Sequence, residues 1–491
     1  MRLPRLGEVL DLRPILTAAG TVLIVLGLFM TPPLVADLVI GHPDWQVFFV
    51  SAGITFFVGA ALVLMNGGRE SEQLSVRQGF LLTTMVWLVT AVFASIPFAL
   101  SELDLTAADA FFEAMSGITT TGATTIIGLD YAPPGLLLWR AILQWLGGIG
   151  IIVMGIAILP MLNIGGMQLF RTESSDLSDK ILPRAAQIAS AIGMIYLALT
   201  LACTSAYWLA GMRLFDAVAH AMTTIATGGY STYDASIGFF ASPVIEWIAI
   251  VFMILGGIPF VLYIQAVRGN RRPLMHDVQV RWFLGILVCS SIVLTLWLYS
   301  EHRWGWHEGL RHAVFATVSI VTGTGYASTD YGLWGHLPIA LVFFLMCVGG
   351  CTGSTTGGIK VFRLVVVYRI ARVQAFRLIH PNAVFRSLYN NQPITDAMAV
   401  SVLAFLFLFA VTFSIIAVLL SWYGLDYLTA MSAALTALGN VGPGLGPEIG
   451  PAGNFADLPQ GAKWILSAAM LLGRLELFTV LVLFAPMFWR A

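Results

Sequence analysis

Four stretches rich in glycine and threonine carry the main chemical signal of this sequence. They read DAFFEAMSGITTTGAT from Asp109, DAVAHAMTTIATGGYST from Asp216, HAVFATVSIVTGTGYAS from His312 and TAMSAALTALGNVGPG from Thr429. A glycine stands 13 positions after each first residue, namely Gly122, Gly229, Gly325 and Gly442. Glycine adopts positive φ without a steric penalty, so consecutive carbonyl oxygens can turn to one side and replace the hydration shell of an ion. Because these oxygens are hard and neutral, they suit alkali cations better than transition metals.

Each glycine lies between two apolar segments of unequal length. The segment before it is too short to span a membrane, and the longer segment after it has a second glycine 24 to 31 positions further on. These sites are Gly147-Gly148, Gly256-Gly257, Gly349-Gly350 and, with arginine as the second residue, Gly473-Arg474. The pattern predicts a unit of outer helix, short descending helix, glycine loop and inner helix. Four such units around one axis would bring together four helix C-termini, each with roughly half a negative charge, and so stabilise a cation.

The elements that position these loops are predicted to lie in a lipid bilayer. Of the 491 residues, 58% are hydrophobic and 10% are charged, whereas about a quarter of the residues in soluble domains are charged. Ten segments have the roughly 20 apolar residues that a span requires: 15–37, 45–65, 78–100, 135–163, 185–210, 240–267, 282–300, 337–373, 395–421 and 461–488. We therefore predict an all-α membrane protein with ten transmembrane helices, four re-entrant pore helices and four pseudo-fourfold repeats around one central pore.

The distribution of lysine and arginine predicts the orientation of these spans. Most basic residues lie at the N-terminus or in the loops after the second, fourth, sixth and eighth spans. The opposite side has Arg140, Arg213, Arg303, Arg311 and Lys463. By the positive-inside rule, both termini are cytoplasmic. The net charge of −1, without a block of like charges, gives no indication of nucleic-acid binding.

Motifs of enzymes and metalloproteins are absent from the sequence. No P-loop occurs, and no GxGxxG follows a strand in a soluble stretch. Ser354 is flanked by glycines but lacks the preceding strand of a hydrolase nucleophile elbow. The cysteines lie in apolar stretches without a nearby histidine or third thiol: Cys203, Cys289, Cys347 and Cys351. We predict no enzymatic activity and no bound cofactor other than a transported ion.

Polar residues also occur within the short helices. Asp109 and Asp216 begin their helices, where a carboxylate complements the positive end of the dipole and can cap free N–H groups. Glu113 and His220 stand at the same position of the first two stretches. For these two residues we favour a buried, satisfied hydrogen bond over ion coordination.

Longer strings in the sequence resemble a known family. The segments Thr120-Thr121-Gly122-Ala123, Gly228-Gly229-Tyr230, Thr324-Gly325-Tyr326 and Asn440-Val441-Gly442-Pro443 resemble the filter segments of the Trk/Ktr/HKT superfamily of potassium transporters. The strings QWLGGIGIIV (144–153), GGCTGSTTGGIK (349–360), LIHPN (378–382), ALGNVGPGL (437–445) and GRLE (473–476) are similar to the bacterial TrkH branch. The resemblance covers nearly the whole chain.

The resemblance implies a potassium filter with one segment from each stretch. Its residues would be Thr120, Thr121, Gly122, Gly228, Gly229, Thr324, Gly325, Val441 and Gly442. Because Gly442 is followed by Pro443 and not by an aromatic residue, we expect modest selectivity over sodium. The resemblance also implies an extra helix pair at 1–70 ahead of four pore repeats at 71–170, 171–275, 276–385 and 386–491.

The resemblance further implies a gate in the eighth span. In the family, a stretch such as 349–360 is an intramembrane loop that obstructs the pore below the filter, and its glycines make a poor helix. The gate residues would be Gly349, Gly350, Gly353, Ser354, Thr355, Thr356, Gly357, Gly358, Lys360 and Arg474. The alternative for this stretch is a tightly packed small-residue helix interface. For Arg474, an electrostatic barrier near Thr355 and Thr356 competes with a plain ion pair to Glu476 or to a carboxylate of another helix.

The function implied is potassium uptake through this gated pore, driven by the membrane potential, in the inner membrane of a bacterium. One alternative is a secondary transporter that couples potassium to sodium or protons, which would need buried carboxylates near the bilayer midplane. Another is a regulatory subunit that no longer conducts, which would have lost filter glycines. Besides lipid, the implied partners are a second copy in a homodimer and a cytosolic TrkA-like ring of nucleotide-binding subunits. A basic inner surface could bind that ring: Arg268, Arg271, Arg272, Arg372 and Arg377.

Overall fold

The chain folds mainly into α-helices, as the sequence predicts. The computed structural model describes residues 11–66, 75–157, 181–301, 304–383, 385–390 and 392–489. In this part of the chain the one sheet is an antiparallel pair of two-residue strands, Leu388–Tyr389 and Gln392–Pro393. Short helical elements outside the spans and pore helices include Arg272–His276, Pro486–Trp489 and the 3-10 turns Leu129–Tyr131, Ser236–Phe240, Tyr331–Leu333 and Val482–Phe484.

Seven helical segments within the described ranges are long and apolar enough to cross a membrane. They coincide with seven of the ten predicted spans. Their helices are Arg13–Phe29 continued by Thr31–Ile40, Trp45–Asn66, Val76–Ala94 continued by Ile96–Leu100, Pro134–Ala157, Ile181–Leu209, Val278–Ser300 and Asp396–Trp422.

Two of the other predicted spans are sharply bent. Pro243–Gly256 meets Phe260–Val267 at 91°, and Gln460–Arg474 meets Phe478–Phe484 at 107°. Pro259 stands at the first bend, where its missing N–H interrupts the helical hydrogen bonds. The second bend contains two non-glycine residues with positive φ, Glu476 at 62° and Leu477 at 43°.

The remaining predicted span, 337–373, is divided in two. Its halves are His336–Met346 and Val361–Ile379, and residues 347–360 between them are not helical. Counting each bent pair as one span gives up to nine spans by length and composition among the described residues. The total of ten transmembrane helices therefore stays a prediction.

Four short helices lie where the sequence predicts pore helices, and we number them short helices 1 to 4: Ala107–Ile118, Leu214–Ile225, Trp306–Val321 and Tyr427–Gly439. Thr106 caps short helix 1 by accepting a hydrogen bond from the Asp109 N–H at 3.2 Å. Asp109 and Asp216 lie in the first turn, where they complement the dipole. Their predicted capping role is wrong, because both stand at the third helical residue and not before the first.

The N-terminal helix pair is packed through facing glycines. Gly20 lies in Arg13–Phe29 and Gly59 lies in Trp45–Asn66. A Cβ added to Gly20 would lie 2.7 Å from the Gly59 carbonyl oxygen, and one added to Gly59 would lie 2.8 Å from the Gly20 carbonyl oxygen. Because lipid is as apolar as the side chains, helices in a membrane associate through such close backbone contact.

Replacing Gly59 by alanine should destabilise the protein, whereas replacing Gly53 on the same helix should not. A Cβ added to Gly53 has no heavy atom within 4 Å. We expect Gly59→Ala to lower the free energy of unfolding by about 1–3 kcal/mol through overpacking. Gly53→Ala should raise it by roughly 0.5–1 kcal/mol, since alanine favours the helix. Thermal unfolding in detergent measures the change in stability of both variants. If the two variants shift the stability in the same direction, the close packing of Gly59 against Gly20 would be contradicted.

Candidate functional site

Each short helix ends in a left-handed turn, which leads into a glycine loop. We number the loops like the helices: residues 119–123, 226–230, 322–326 and 439–443. The second residue of each loop has positive φ, namely 53° at Thr120, 50° at Thr227, 69° at Gly323 and 52° at Asn440. The next N–H donates to a carbonyl of the last helical turn: Thr121 to Ser116, Gly228 to Thr223 and Thr324 to Ser319 at 2.9 Å, and Val441 to Thr436 at 3.0 Å. Such turns satisfy carbonyl groups that a helix C-terminus leaves free.

The glycines of the four loops meet in a closed ring. Their φ angles are positive, at 87°, 76°, 76° and 107° for Gly122, Gly229, Gly325 and Gly442. A Cβ added to any of them would lie closer than 3.0 Å to a carbonyl oxygen of the following loop, namely those of Gly228, Thr324, Val441 and, for Gly442, Thr121. Since loop 4 returns to loop 1, the loops surround one axis. The nine residues of the predicted filter therefore lie together.

Residues from all four loops also line a single small cavity. It has a volume of about 70 Å³ and is lined by Gly122, Gly229, Gly325 and Pro443, together with Arg140 and residues of the outer loops. The ring thus borders one space that all four loops share.

Two tyrosines tie neighbouring loops together in the same way. The Tyr230 hydroxyl donates to the carbonyl oxygen of Glu113 in short helix 1 at 2.9 Å. The Tyr326 hydroxyl donates to the carbonyl oxygen of His220 in short helix 2 at 3.1 Å. Glu113 and His220 stand at corresponding positions of their helices, so the contact is repeated from one unit to the next. Loop 4 has Pro443 at the tyrosine position, and there the Asn440 Nδ2 donates to Thr121 Oγ1 at 2.9 Å.

A fully buried ion pair bonds to the chain just after loops 1 and 2. Glu113 Oε1 lies 2.7 Å from Arg140 Nε, and the two side chains are 0% and 1% exposed. Glu113 also accepts from the Thr125 N–H at 2.9 Å, and Arg140 donates to the Ser231 carbonyl oxygen at 2.8 Å. The Arg140 guanidinium lies 4.0 Å from the centre of the Tyr230 ring. Glu113 thus makes the buried, satisfied contacts that the sequence favours.

His220 makes a comparable contact in short helix 2. Its Nε2 lies 2.9 Å from Ser231 Oγ, and its Nδ1 lies 2.8 Å from the Asp216 carbonyl oxygen. Both ring nitrogens are therefore occupied by protein groups. The expectation of a hydrogen-bonded histidine agrees with this geometry.

Basic residues predicted on the outer side are paired with carboxylates. Besides Arg140, the pairs are Arg213–Asp216 at 2.8 Å, Arg311–Glu246 at 2.9 Å and Lys463–Asp109. Arg303 lies outside the described residues. The pairs of Arg311 and Lys463 each join residues of two different predicted repeats. Each of the basic residues predicted on the outer side thus has a carboxylate partner where the structure describes it.

Residues 347–360 form an irregular loop against the ends of two short helices. The loop is tied to the bend of the preceding inner helix, because the Cys351 N–H donates to the Gly257 carbonyl oxygen at 3.1 Å. Thr355 Oγ1 lies 3.1 Å from the Ile225 carbonyl oxygen, at the end of short helix 2. A Cβ added to Gly357 would meet the carbonyl oxygen of Gly439, the last residue of short helix 4. Since the stretch is not helical, its alternative interpretation as a small-residue helix interface is wrong.

Arg474 and Glu476 contact different parts of this loop. Arg474 donates from Nη1 to the Thr355 carbonyl oxygen at 3.0 Å, close to the predicted contact. Glu476 instead pairs with Lys360 at 2.9 Å and with Arg363. The structure therefore does not contain the alternative ion pair between Arg474 and Glu476. All predicted gate residues except Arg474 lie in the loop itself, and its last residue, Lys360, is joined to the last span through Glu476.

Sequence reasoning missed several residues that reach the glycine loops. They are Arg140, Gln144, Tyr230, Tyr326 and Asn440, the last three of which it named only as neighbours of the filter glycines. Arg140 had a usable signal, since a charge within an apolar segment usually marks a special site.

Comparisons with known proteins agree on one family. The family model TrkH, described as cation transport protein, matches residues 45–491. The chain is 48% identical over 478 residues to the Trk system potassium uptake protein TrkI of Halomonas elongata, covering 97% of each chain. It is 40% identical over 448 residues to the Trk system potassium uptake protein TrkH of Escherichia coli K12, covering 89% of this chain and 91% of that protein. The crystal structure of the potassium transporter TrkH from Vibrio parahaemolyticus superposes with a TM-score of 0.90 at 37% identity, covering 98% of this chain and 100% of that one.

Removing Arg140 should destabilise the protein far more than removing Arg213. Arg140→Gln leaves the buried Glu113 carboxylate without its cation, which costs about 3–5 kcal/mol. The Arg213 side chain is 75% exposed, and its buried partner Asp216 keeps the Thr232 and Tyr233 hydroxyls as donors, so Arg213→Gln should cost only about 1 kcal/mol. The unfolding midpoint of each variant in detergent tests this. The double variant Glu113→Gln/Arg140→Gln should recover part of the loss, and equal costs for the two arginines would contradict the argument.

Proposed function

Because this chain belongs to the TrkH family of cation transport proteins, we propose that it takes up potassium across the inner membrane of a bacterium. Membership of a transporter family agrees with the prediction that the chain is not an enzyme. The relatives above are named potassium uptake proteins, which supports potassium as the cargo. Seven long apolar helices among the described residues support a multi-pass protein. The cytoplasmic position of both termini rests on the arginine distribution alone.

The closed ring of glycine loops is the observation that carries the proposal. Four helix C-termini end next to it, and their partial negative charge favours a cation over an anion. Carbonyl oxygens around an axis can replace the water that a potassium ion loses on entry. We propose that the nine filter residues bind potassium there, with one glycine from each loop lining the site.

We propose that the loop 347–360 is the gate of this pore. It contacts the ends of short helices 2 and 4, and none of its residues lines the cavity at the ring. Arg474 adds a positive charge next to Thr355. A cation leaving the filter towards the cytoplasm would meet both the loop and this charge. Conduction would then require the loop to move, with Arg474 raising the barrier in the closed state.

The buried carboxylates that contact the glycine loops or the loop 347–360 favour a channel-like pore over a proton-coupled transporter. A coupling site needs a buried acid that is free to bind and release the coupling ion. Glu113 and Glu476 are buried, but each is already paired with at least one basic residue. The membrane potential alone supplies about 2.3 kcal/mol per charge for each 100 mV. The presence of all four ring glycines also argues against a subunit that has lost conduction.

A second copy of the chain and a cytosolic nucleotide-binding ring are the proposed partners. The relatives' names refer to a Trk system, which is consistent with more than one component. The basic inner surface predicted to bind the ring is solvent-exposed: Arg268, Arg271, Arg272, Arg372 and Arg377. Exposed arginines on the cytoplasmic side suit a partner with an acidic face.

Gly325→Ser should abolish rubidium uptake into liposomes or lower its preference over sodium by roughly tenfold. A Cβ at this position would meet the Val441 carbonyl oxygen and Pro443, and a tenfold loss corresponds to about 1.4 kcal/mol. Gly128→Ser is the matched control, because Gly128 has φ of 77° but no heavy atom within 4 Å of an added Cβ. Potassium-dependent growth of an uptake-deficient bacterium gives a second readout. Unchanged selective uptake by Gly325→Ser would overturn the filter assignment.

Arg474→Gln should increase uptake in the absence of any regulator. The neutral side chain keeps a donor for the Thr355 carbonyl oxygen but removes the charge that opposes a cation. We expect rubidium influx to rise by about tenfold, as for a barrier lowered by about 1.4 kcal/mol. Arg281→Gln, an exposed arginine far from the last span in sequence, should leave influx unchanged. Influx that stays at the wild-type rate in Arg474→Gln would rule out the electrostatic barrier.

A further inference from the structure

The Gln144 side chain holds loop 2 at two points. Gln144 is fully buried in Pro134–Ala157, the inner helix of the first predicted repeat. Its Nε2 donates to the Gly228 carbonyl oxygen at 2.7 Å, and its Oε1 accepts from the Tyr230 N–H at 3.0 Å. The two contacted peptide groups lie on either side of Gly229, the ring glycine of loop 2. One side chain therefore bridges the backbone across the glycine that is proposed to line the ion site.

These contacts fix the direction of the Gly229 carbonyl group. No cis peptide bond occurs among the described residues, and in a trans peptide the C=O and N–H groups point in opposite directions. The Tyr230 N–H points at Gln144, so the Gly229 carbonyl of the same peptide points away from it. The Gly228 carbonyl points towards Gln144 and already accepts a strong donor. A single side chain thus gives the carbonyl groups of Gly228 and Gly229 different directions, and it is a hydrogen-bond donor to the first of them only.

This arrangement distinguishes loop 2 from the other three loops. The carbonyls that correspond to Gly228 belong to Thr121, Thr324 and Val441, and in the described part of the chain they accept no side-chain hydrogen bond. Gln144 stands three residues before Gly147. Three residues before Gly256, Gly349 and Gly473 the chain has methionine each time, Met253, Met346 and Met470, all buried. The first inner helix therefore carries an amide where the other three carry a thioether of similar length.

We propose that Gln144 is a specificity-determining positioning residue, whose amide holds the Gly229 carbonyl in the direction needed to select potassium. This inference rests on the proposed function, since it requires the ring to be the ion site. Without the amide, the flexible Gly229 peptides can turn and the ring can close around the smaller sodium ion. The loss should therefore affect the preference between ions more than the rate of uptake.

Gln144→Met tests the proposal, because it gives the first inner helix the residue of the other three and keeps the side-chain length. Rubidium uptake into liposomes is measured with sodium as competitor. We expect the preference for rubidium over sodium to fall about tenfold, the factor that corresponds to about 1.4 kcal/mol, while uptake continues. Gln144→Asn, which is one methylene too short to reach both peptide groups, should lose the preference in the same way. Gln46→Met, at an exposed position, should behave as wild type.

The outcomes separate this inference from the proposed function. Wild-type preference in both Gln144→Met and Gln144→Asn, together with lost preference in Gly325→Ser, would overturn the role of Gln144 and leave the filter in place. Wild-type preference in all three variants would overturn the filter itself. If a Gln144 variant shows no uptake, a second measurement tests the proposal. The purified variant is heated with potassium or with sodium, and its thermal stabilisation by the two ions is compared. Stabilisation by potassium over sodium that equals the wild-type difference would then refute the proposal, and a smaller difference would support it.

Discussion

The backbone of the four glycine loops lies among transmembrane helices, where neither lipid nor bulk water can satisfy its polar groups. Non-helical backbone is tolerated at this depth only if the protein or a water-filled cavity supplies partners. The left-handed turn after each short helix meets part of this requirement, since it returns one loop N–H to the last helical turn. Side chains supply further partners: Gln144 bonds to the Gly228 carbonyl and the Tyr230 N–H, and the Tyr230 hydroxyl donates to the Ala123 carbonyl. The loop carbonyls that remain face a shared axis, where in the proposed function a potassium ion is their partner.

The same requirement explains the small residues of the inner helices. A Cβ added to Gly147, Gly256 or Gly473 would meet the carbonyl oxygen of Ile118, Ile225 or Leu438, which occupy one corresponding position in short helices 1, 2 and 4. Each of these inner helices thus packs directly against the end of its own short helix. In the third unit, Gly349 meets Gly357 and Lys360 instead. Here the helix has already ended at Met346, and residues of the loop 347–360 surround the glycine instead.

The sequence predicted the parts of this site that depend on local chemistry. Glycine spacing located the four loops and their positive φ angles, and hydropathy located the apolar segments around them. It did not predict positive φ at Thr120, Thr227 or Asn440, because local preference is weak there and the surrounding packing decides. Nor did it predict contacts between distant residues, such as Gln144 with Gly228 or Asn440 with Thr121. Such pairs follow from the arrangement of whole helices, which spacing within one segment does not encode.

The bend in the last span separates two opposite charges that are close in sequence. In a continuous helix, residues two apart face different directions, and the positive φ of Glu476 turns the chain further at this point. Glu476 thereby reaches Lys360 and Arg363, which joins the end of the loop 347–360 to the last span. Arg474 is left with carbonyl oxygens of Thr355 and Gly147 as acceptors, and among the described residues no carboxylate lies within ion-pairing distance of it. A buried guanidinium without a carboxylate is costly unless water or other dipoles solvate it. In the proposed function, a hydrated pathway at this depth would solvate Arg474, and its charge would act on the passing ion.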